Sequence, residues 1–380
     1  MRRIAALAFA MALLPVVAAA EAPTKCAAPA NLNDGWKVAA PAQEGLDPML
    51  ICAIGPHLGE LEDADPHAVV VVRHGVLVYE HYFTGGDERV PGQVVGQVLR
   101  DASTLHDMYS VTKSVTALLT GIGFDRGWLK NIDASVFSFL PQYADLKTPE
   151  KDRITVRDLL TMSSGLAWPE LAVSYADAAN VIHRMENALD PFRFLLAQPL
   201  AAPPGTLWNY NSGAVELLGV ILQKASGRLL DQIAKTALFD PLGITHWRWG
   251  AASSGLELRP RDLAKIGQLI LNRGLWDGRR VVSASWIEAM TAPHIALPSR
   301  FSPAADAYGY LWWLGRSAIK GREIGWVGGL GHGGQRLYVV PSLDLVVAVT
   351  AGNYTFGAPH GEGLAGSTAR GIVLHAAMAP

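Results

Sequence analysis

The sequence has few charged residues and few cysteines, and neither sign of charge dominates. Charged residues make up 17% of the 380 positions, and 32 basic residues stand against 34 acidic ones. We expect no nucleic-acid partner, because binding to phosphates normally requires a basic excess. Hydrophobic residues make up 50% of the chain, so a folded protein with a large core is expected rather than a disordered one.

Long apolar stretches are absent beyond the N-terminus, so no stable membrane insertion is expected. The chain begins with Arg2 and Arg3, continues with an apolar run at 4–17, and then has three alanines at 18–20. The apolar run is shorter than the roughly 20 residues that span a bilayer, and this order of basic, apolar and small residues is typical of a signal peptide. We expect residues 1–20 to direct export to the periplasm or the medium. A buried helix or a membrane anchor is the alternative.

The chain contains only two cysteines, Cys26 and Cys52. In an oxidising compartment they can form one structural disulfide, and otherwise they are two free thiols. Motifs of several catalytic classes are missing, because there is no G-x-S-x-G, no H-E-x-x-H and no Cys or His pair at metal-ligand spacing. The sequence therefore implies neither a metal nor an organic cofactor.

Strand-like patterns lie near the two ends of the mature chain, and helix-like patterns lie mainly between them. Two β-rich runs flank His74-Gly75 and predict a hairpin. The predicted strands are 68–73, 76–82, 308–314, 336–340 and 345–350, and the predicted helices are 110–127, 215–225, 260–272 and 367–378.

This order favours one α+β domain, with a sheet built from both ends of the chain and a helical insertion, over two successive domains. Residues 21–45, rich in Ala, Pro and Asn, are predicted to form an N-terminal arm. The domain then covers residues 46–380. Its sheet part is expected at about 46–125 and 295–380, and its helical part at about 126–294.

The first candidate for chemistry is Ser110-Val111-Thr112-Lys113, at the start of a predicted helix. Residues i and i+3 share one face of a helix, so the Lys113 amine lies one turn from the Ser110 hydroxyl. A serine hydroxyl needs a base to become a good nucleophile, and a lysine can be that base when burial lowers its pKa. The start of the helix also provides a positive field where an oxyanion forms.

A second Ser-x-x-Lys sequence occurs at Ser317-Ala318-Ile319-Lys320. It follows a strand-like run and precedes Gly321, so an extended segment that ends in a turn is expected. Residues i and i+3 of a strand point to opposite faces, and Lys320 therefore cannot serve Ser317. The four-residue motif alone does not identify a nucleophile.

Two further segments can complete an acyl-transfer site. Tyr210 precedes an apolar helix, and a phenol beside an ammonium group can relay protons; a helix cap is the alternative function of this segment. The glycine-rich segment 328–335 enters a strand, which indicates that its backbone approaches a neighbour closely; a flexible hairpin loop is the alternative. The candidate oxyanion or substrate-binding residues in these segments are Ser212, His332, Gly334 and Gln335.

Together these segments resemble the serine β-lactamase-like superfamily, which includes class C β-lactamases, D-alanyl-D-alanine carboxypeptidases, family VIII esterases and 6-aminohexanoate-dimer hydrolases. The matching segments are 108–114, 154–166, 204–206 with 210–213, 255–256 with 261–263, and 333–335 with 339–341. The resemblance implies a β-lactamase/transpeptidase-like fold, in which an antiparallel sheet is flanked by helices and joined to an all-helical subdomain. It assigns Ser110 as the nucleophile, Lys113 as its base and Tyr210 as the bridging acid and base.

Two departures from the family pattern bear on the substrate. Ser212 stands where the Tyr-x-Asn motif has Asn, and His332 stands where the Lys-Thr-Gly motif has Lys. A histidine offers a full charge to a substrate carboxylate only when it is protonated, which argues against β-lactams and peptidoglycan peptides. Glu170 is the nearest candidate for the deacylating glutamate of class A enzymes, but no Asn follows it at that family's spacing.

We therefore expect an exported serine hydrolase that cleaves a small-molecule ester or amide through an acyl-Ser110 intermediate. A D-alanyl-D-alanine carboxypeptidase or a β-lactamase is the alternative within the same chemistry, and a catalytically silent binding or regulatory protein is the alternative outside it. Four aromatic residues can line an apolar pocket or belong to the core, namely Trp168, Tyr175, Trp312 and Trp326.

Overall fold

The computed structural model describes residues 26–61, 63–86, 96–298, 305–354 and 361–378, so the predicted signal peptide lies outside the described residues. The strands are β1 Lys37–Val38, β2 Pro66–Arg73, β3 Val76–Tyr82, β4 His106–Asp107, β5 Trp247–Trp249, β6 Leu256–Leu258, β7 Leu275–Trp276, β8 Arg279–Arg280, β9 Ile295–Ala296, β10 Ala305–Tyr308, β11 Trp313–Ile319, β12 Arg322–Gly331, β13 Gln335–Val340 and β14 Leu345–Ala351. The helices are α1 Pro48–Cys52, α2 Ile54–Glu60, α3 Val111–Asp125, α4 Val156–Leu160, α5 Val181–Glu186, α6 Pro191–Ala197, α7 Ser212–Ser226, α8 Leu230–Ala234, α9 Pro260–Leu271, α10 Ala284–Met290 and α11 Gly361–Ala377. Short 3-10 helices lie at Pro41–Glu44, Val136–Phe139, Pro141–Leu146, Lys151–Arg153 and Pro341–Leu343, and a π-helical turn lies at Lys235–Phe239.

One nine-stranded sheet contains strands from both ends of the chain, in the order β1-β3-β2-β14-β13-β12-β11-β10-β9. Its neighbouring strands are antiparallel, except that β1 at the edge is parallel to β3. The predicted hairpin around His74-Gly75 is confirmed as β2 and β3. The N-terminal and C-terminal strands meet where β2 pairs with β14.

Helices cover both faces of this sheet. On one face α11 packs with the Arg370 guanidinium 4.8 Å from the Trp326 ring and 4.5 Å from the Tyr338 ring. On the other face lie α3 and α9, and a Cβ atom on Gly329 of β12 would be only 3.0 Å from Val111. Strands β13 and β14 are consequently buried along their whole length, which explains why residues 337–340 and 345–349 form apolar runs rather than an alternating pattern.

Helix α3 is buried on nearly all sides, and its polar side chains are buried as well. These side chains bond to surrounding loops: Ser114 Oγ donates to the Leu311 carbonyl at 2.7 Å, and Thr116 Oγ1 donates to the Ala252 carbonyl at 2.7 Å. The Leu256 N–H donates to Thr112 Oγ1 at 3.3 Å. Because buried polar groups must be hydrogen-bonded, these contacts fix α3 in its position.

The predicted helices at 110–127, 215–225 and 260–272 are confirmed as α3, α7 and α9, and the final helix begins earlier than predicted. The prediction of an all-helical part is wrong in detail. Its residues include β5 to β8, and α9 packs on the sheet. Strands of two or three residues are too short to show an alternating pattern.

The strand predicted at 308–314 is also wrong in detail, because a turn interrupts it. Residue 308 ends β10, and β11 begins at Trp313. Between them the Gly309 N–H donates to the Trp312 carbonyl at 2.8 Å, and Leu311 has a left-handed φ of 59°. The turn is apolar because it is buried under α3, where Trp312 Nε1 donates to the Ser114 carbonyl.

The described part of the N-terminal arm is attached to the domain covalently and by ion pairs. Of the two alternatives for the cysteines, the structure has the disulfide between Cys26 and Cys52. The buried Arg261 guanidinium lies 2.8 Å from Asp34 of the arm and 3.0 Å from Glu80 of β3. Within the part of the chain that the structure describes, no helix has the length and apolar character needed to cross a membrane.

Candidate active site

Ser110 lies at the N-terminus of α3, and Lys113 lies one turn further along the helix. The Lys113 ammonium nitrogen donates to Ser110 Oγ at 2.9 Å and to the Ser253 carbonyl at 2.8 Å. Lys113 is 2% exposed, and this burial lowers its pKa to about 8, although the carboxylates of Glu170 and Glu216 act in the opposite direction. A fraction of this amine is neutral near pH 7 and can accept the serine proton.

The Ser253 carbonyl, which accepts a hydrogen bond from Lys113, lies in a segment that is itself held in place. Glu216 of α7 accepts hydrogen bonds from the Ala252 N–H at 3.1 Å and from the Ser253 N–H at 2.8 Å. Sequence reasoning missed Ser253 and Glu216, because the carbonyl is 140 residues from Lys113 and acts through its backbone. No side-chain motif could have identified it.

Tyr210 lies immediately before α7 and is 6% exposed. Its ring centroid is 5.0 Å from the Lys113 ammonium nitrogen. The preceding turn is fixed because Asn211 caps α7, accepting from the Ala214 N–H at 2.9 Å. The structure therefore places Lys113 between Ser110, to which it bonds, and the ring of Tyr210, which comes from the segment before α7.

A cleft of about 300 Å³ opens in front of Ser110 and Lys113. Three carboxylates line the cleft, and Lys113 is the only Lys or Arg among the described lining residues. Carboxylates therefore outnumber Lys and Arg side chains in the cleft. Two predicted binding residues, Ser212 and His332, line it as well. The full lining is Asp107, Tyr109, Ser110, Lys113, Glu170, Tyr175, Ile182, His183, Glu186, Ser212, Ser253, Ser254, Gly255 and His332.

The two other predicted binding residues, Gly334 and Gln335, lie at the β12–β13 hairpin and not among the described lining residues. The Gln335 side chain is fully buried. Its amide nitrogen donates to the Ala351 carbonyl at 2.8 Å and to the His332 carbonyl at 3.1 Å, and its amide oxygen accepts from the Ala351 N–H. This side chain therefore anchors the hairpin to β14.

The close backbone approach predicted from the glycine-rich segment occurs at Gly331. A Cβ atom at this position would lie 2.5 Å from the Met108 carbonyl oxygen and 3.3 Å from the Ser110 nitrogen. Only glycine fits this contact without displacing residues 108–110.

The residue before Ser110 has an unusual backbone conformation. Tyr109 has a left-handed φ of 44°, and its N–H donates to Asp107 at 2.8 Å. Non-glycine residues in this conformation store strain and are concentrated at functional sites. The ring of Tyr109 meets the ring of His332 edge-on, with centroids 5.6 Å apart, and Tyr175 contacts His332 at the same distance.

The second Ser-x-x-Lys motif has the expected geometry. Ser317 lies on β11, whereas Lys320 lies in the following turn with a φ of 49°. Lys320 donates to the Met378 carbonyl near the C-terminus. Lys320 therefore lies beyond the strand that carries Ser317 and bonds to another part of the chain.

The four candidate pocket aromatics divide between core and site. Trp312 and Trp326 are buried in the core. Tyr175 lines the cleft, and Trp168 lines an adjoining cavity together with Tyr210.

Comparison with known proteins identifies the family. The Beta-lactamase family model matches residues 60–365. The 6-aminohexanoate-dimer hydrolase of Paenarthrobacter ureafaciens is 25% identical over 316 residues, which are 76% of this chain and 72% of that protein. Esterase EstB of Burkholderia gladioli is 31% identical over 182 residues, which are 46% of this chain and 44% of the esterase.

A solved structure shows the same fold. The penicillin-binding protein homologue from Caulobacter crescentus has a TM-score of 0.63 at 18% identity, over 86% of this chain and 96% of that one. The predicted β-lactamase/transpeptidase-like fold is thus confirmed. Because the family model spans most of its length, this chain belongs to the Beta-lactamase family and is a serine hydrolase.

Proposed function

We propose that this protein hydrolyses a small ester or amide through an acyl-Ser110 intermediate. The observation that carries the proposal is the 2.9 Å hydrogen bond between the buried Lys113 amine and Ser110 Oγ. Lys113 accepts the hydroxyl proton as Ser110 attacks the substrate carbonyl, and Tyr210 passes a proton to the leaving group. Water then releases the acyl group. The backbone N–H groups of Ser110 and Gln335 are the proposed oxyanion donors.

The charges of the cleft favour an ester or amide without a nearby carboxylate. Three carboxylates line the cleft, and Lys113 must be uncharged to act as a base. The remaining candidates to pair with a substrate carboxylate are two histidines, His183 and His332, and His332 stands in the position of the family's lysine. A β-lactam or a D-alanyl-D-alanine peptide would therefore meet mostly like charge, which disfavours binding.

Two further observations support this proposal. The relatives named above are a 6-aminohexanoate-dimer hydrolase and an esterase, and both names fit hydrolysis of an amide or ester. The Cys26–Cys52 disulfide supports export, because disulfides persist in oxidising compartments such as the periplasm.

A substrate panel tests the proposal. We expect turnover of short nitrophenyl esters or short amides to exceed turnover of nitrocefin and of a D-alanyl-D-alanine peptide, and Ser110→Ala to abolish it. Faster turnover of nitrocefin would instead support the β-lactamase alternative. Covalent labelling of Ser110 without turnover of any of these compounds would support a catalytically silent protein.

A further inference from the structure

Glu170 is a buried carboxylate beside the catalytic residues, and the acyl-transfer scheme above gives it no function. It is 1% exposed and lies in the loop between α4 and α5. Its Oε1 accepts from Ser212 Oγ at 2.5 Å and from the Tyr175 hydroxyl at 3.0 Å. Its Oε2 accepts from the Ser212 N–H at 2.7 Å and from Trp168 Nε1 at 2.8 Å.

These four hydrogen bonds occupy the acceptor capacity of the carboxylate. A carboxylate has about four lone-pair sites, two on each oxygen, and each oxygen of Glu170 accepts two hydrogen bonds. A general base must direct a free lone pair at the water that it activates. Glu170 is therefore poorly suited to deacylate the enzyme in the way that the glutamate of a class A β-lactamase does.

The same bonds join two segments that each contribute residues to both the active-site cleft and the adjoining cavity. In the loop, Glu170 and Tyr175 line the cleft, whereas Trp168 lines the cavity. At the start of α7, Ser212 lines the cleft, whereas Tyr210, two residues before the helix, lines the cavity. The bonds from Glu170 to Ser212 thus hold the backbone that carries Tyr210.

The loop that carries Glu170 is itself anchored. The Asn180 side chain donates to the backbone carbonyl groups of Glu170 at 2.9 Å and of Val173 at 3.0 Å. Asn180 also caps α5 through its amide oxygen. The carboxylate therefore projects from a loop whose backbone is fixed independently of Ser212.

Glu170 also contributes to the charge around Lys113. The titratable groups that face Lys113 are Glu170 from the loop, Glu216 from α7 and Tyr210 from the segment before α7. The remaining titratable groups of the cleft are Asp107, Tyr109, Tyr175, His183, Glu186 and His332. Burial lowers the pKa of Lys113, and the negative charge of Glu170 opposes this effect.

We infer that Glu170 is a positioning residue, which holds Ser212, Tyr175 and Trp168 so that Tyr210 faces Lys113, and that it does not activate the deacylating water. Ser212 occupies the position of the family's Asn, so the Glu170–Ser212 pair substitutes for that single side chain. The inference rests on the proposed function, because it requires acylation of Ser110.

Three variants test this inference. Glu170→Gln removes the negative charge. It also replaces one accepting oxygen by an amide N–H₂ group, which cannot accept the hydrogen bonds that this oxygen receives from its neighbours. Ser212→Ala removes one bond to Glu170 and leaves the charge. Asp158→Asn is the matched control, because Asp158 is another buried carboxylate, which accepts from Thr155 at the start of α4.

Acylation by a nitrophenyl ester is followed by stopped flow, and acyl-Ser110 is quantified by mass spectrometry after quenching, at a series of pH values. For Glu170→Gln we expect acylation about 10²-fold slower, because catalytic groups are misplaced, with no accumulation of acyl-Ser110. The rising limb of its pH profile moves to lower pH, because a charge that favours the ammonium form of Lys113 is lost. Ser212→Ala slows acylation less and leaves the limb in place. Asp158→Asn lowers only the melting temperature.

Accumulation of acyl-Ser110 at an unchanged acylation rate in Glu170→Gln would overturn the inference and make Glu170 the deacylating base. If Glu170→Gln lowers the melting temperature but does not move the rising limb of the pH profile, Glu170 has a purely structural role, like Asp158. If Glu170→Gln does not fold, unchanged acylation in Ser212→Ala overturns the inference and slower acylation without accumulation supports it. A wild-type enzyme that forms no acyl-Ser110 would overturn the proposed function itself.

Discussion

Gly331 lies directly against Ser110, so that a Cβ atom on Gly331 would be 3.3 Å from the Ser110 nitrogen. This contact connects the β12–β13 hairpin to the start of α3, two elements that are more than 200 residues apart in the sequence. It places the hairpin backbone beside the N–H group that we propose as an oxyanion donor. The position of this N–H depends on the absence of a side chain at residue 331.

Substituting Gly331 should therefore impair catalysis much more than it impairs folding. We expect Gly331→Ala to lower kcat for a nitrophenyl ester by about 10²-fold, because the added methyl group displaces the nucleophile segment. Gly325→Ala is the matched control, since Gly325 lies on the same strand and a Cβ atom there meets nothing within 4 Å. Equal activity of the two variants would contradict this explanation.

The pH dependence of the reaction should report the ionisation of Lys113. Burial lowers its pKa to about 8, and the neutral amine is the active base. We expect kcat/KM for an uncharged ester to rise with pH through a limb near pH 8 and to level off above it. A limb near the ordinary lysine pKa of about 10.4 would disagree with the buried position of Lys113.

Replacing Lys113 by Arg should remove this limb, because an arginine does not lose its proton at these pH values. Loss of a general base typically costs 10²–10⁴-fold in rate, and we expect kcat of Lys113→Arg to fall within about that range. Lys320→Arg, in the second Ser-x-x-Lys motif, is the control. Initial rates of both variants over pH 6–10 distinguish the two lysines.

The disulfide should stabilise the fold without contributing to catalysis. It joins residues 26 positions apart, and closing a loop of that size is expected to contribute about 3.5 kcal/mol to the free energy of unfolding. We expect the double variant Cys26→Ser/Cys52→Ser to be destabilised by about this amount in urea unfolding, with kcat unchanged. A large loss of kcat at an unchanged free energy of unfolding would contradict a structural role.

The sequence could predict the features that depend on neighbouring residues. The side chains of Ser110 and Lys113 share a helix face because they are three positions apart, whereas the same spacing puts Ser317 on a strand and Lys320 in the turn that follows it. The hairpin of β2 and β3 followed from local alternation and a turn. In each case the backbone geometry alone decides which side chains meet.

The sequence could not predict contacts between distant segments. The Lys113–Ser253 bond spans 140 residues and the Arg261–Asp34 pair spans 227, so no local pattern encodes them. The segment 328–335 contains five glycines, and only the packing of α3 shows that Gly331 is the one against Ser110. The apolar turn at 309–312 was predicted as a strand because its burial by α3 gives it the composition of a core strand.

Covalent labelling of the two serines tests the central claim, that Ser110 is the nucleophile. A fluorophosphonate probe is added to the wild-type protein, to Ser110→Ala and to Ser317→Ala, and the modified peptide is identified by mass spectrometry. We predict labelling of Ser110 in the wild type and in Ser317→Ala, and none in Ser110→Ala. Labelling that persists in Ser110→Ala would contradict the assignment of the nucleophile and the proposed mechanism with it.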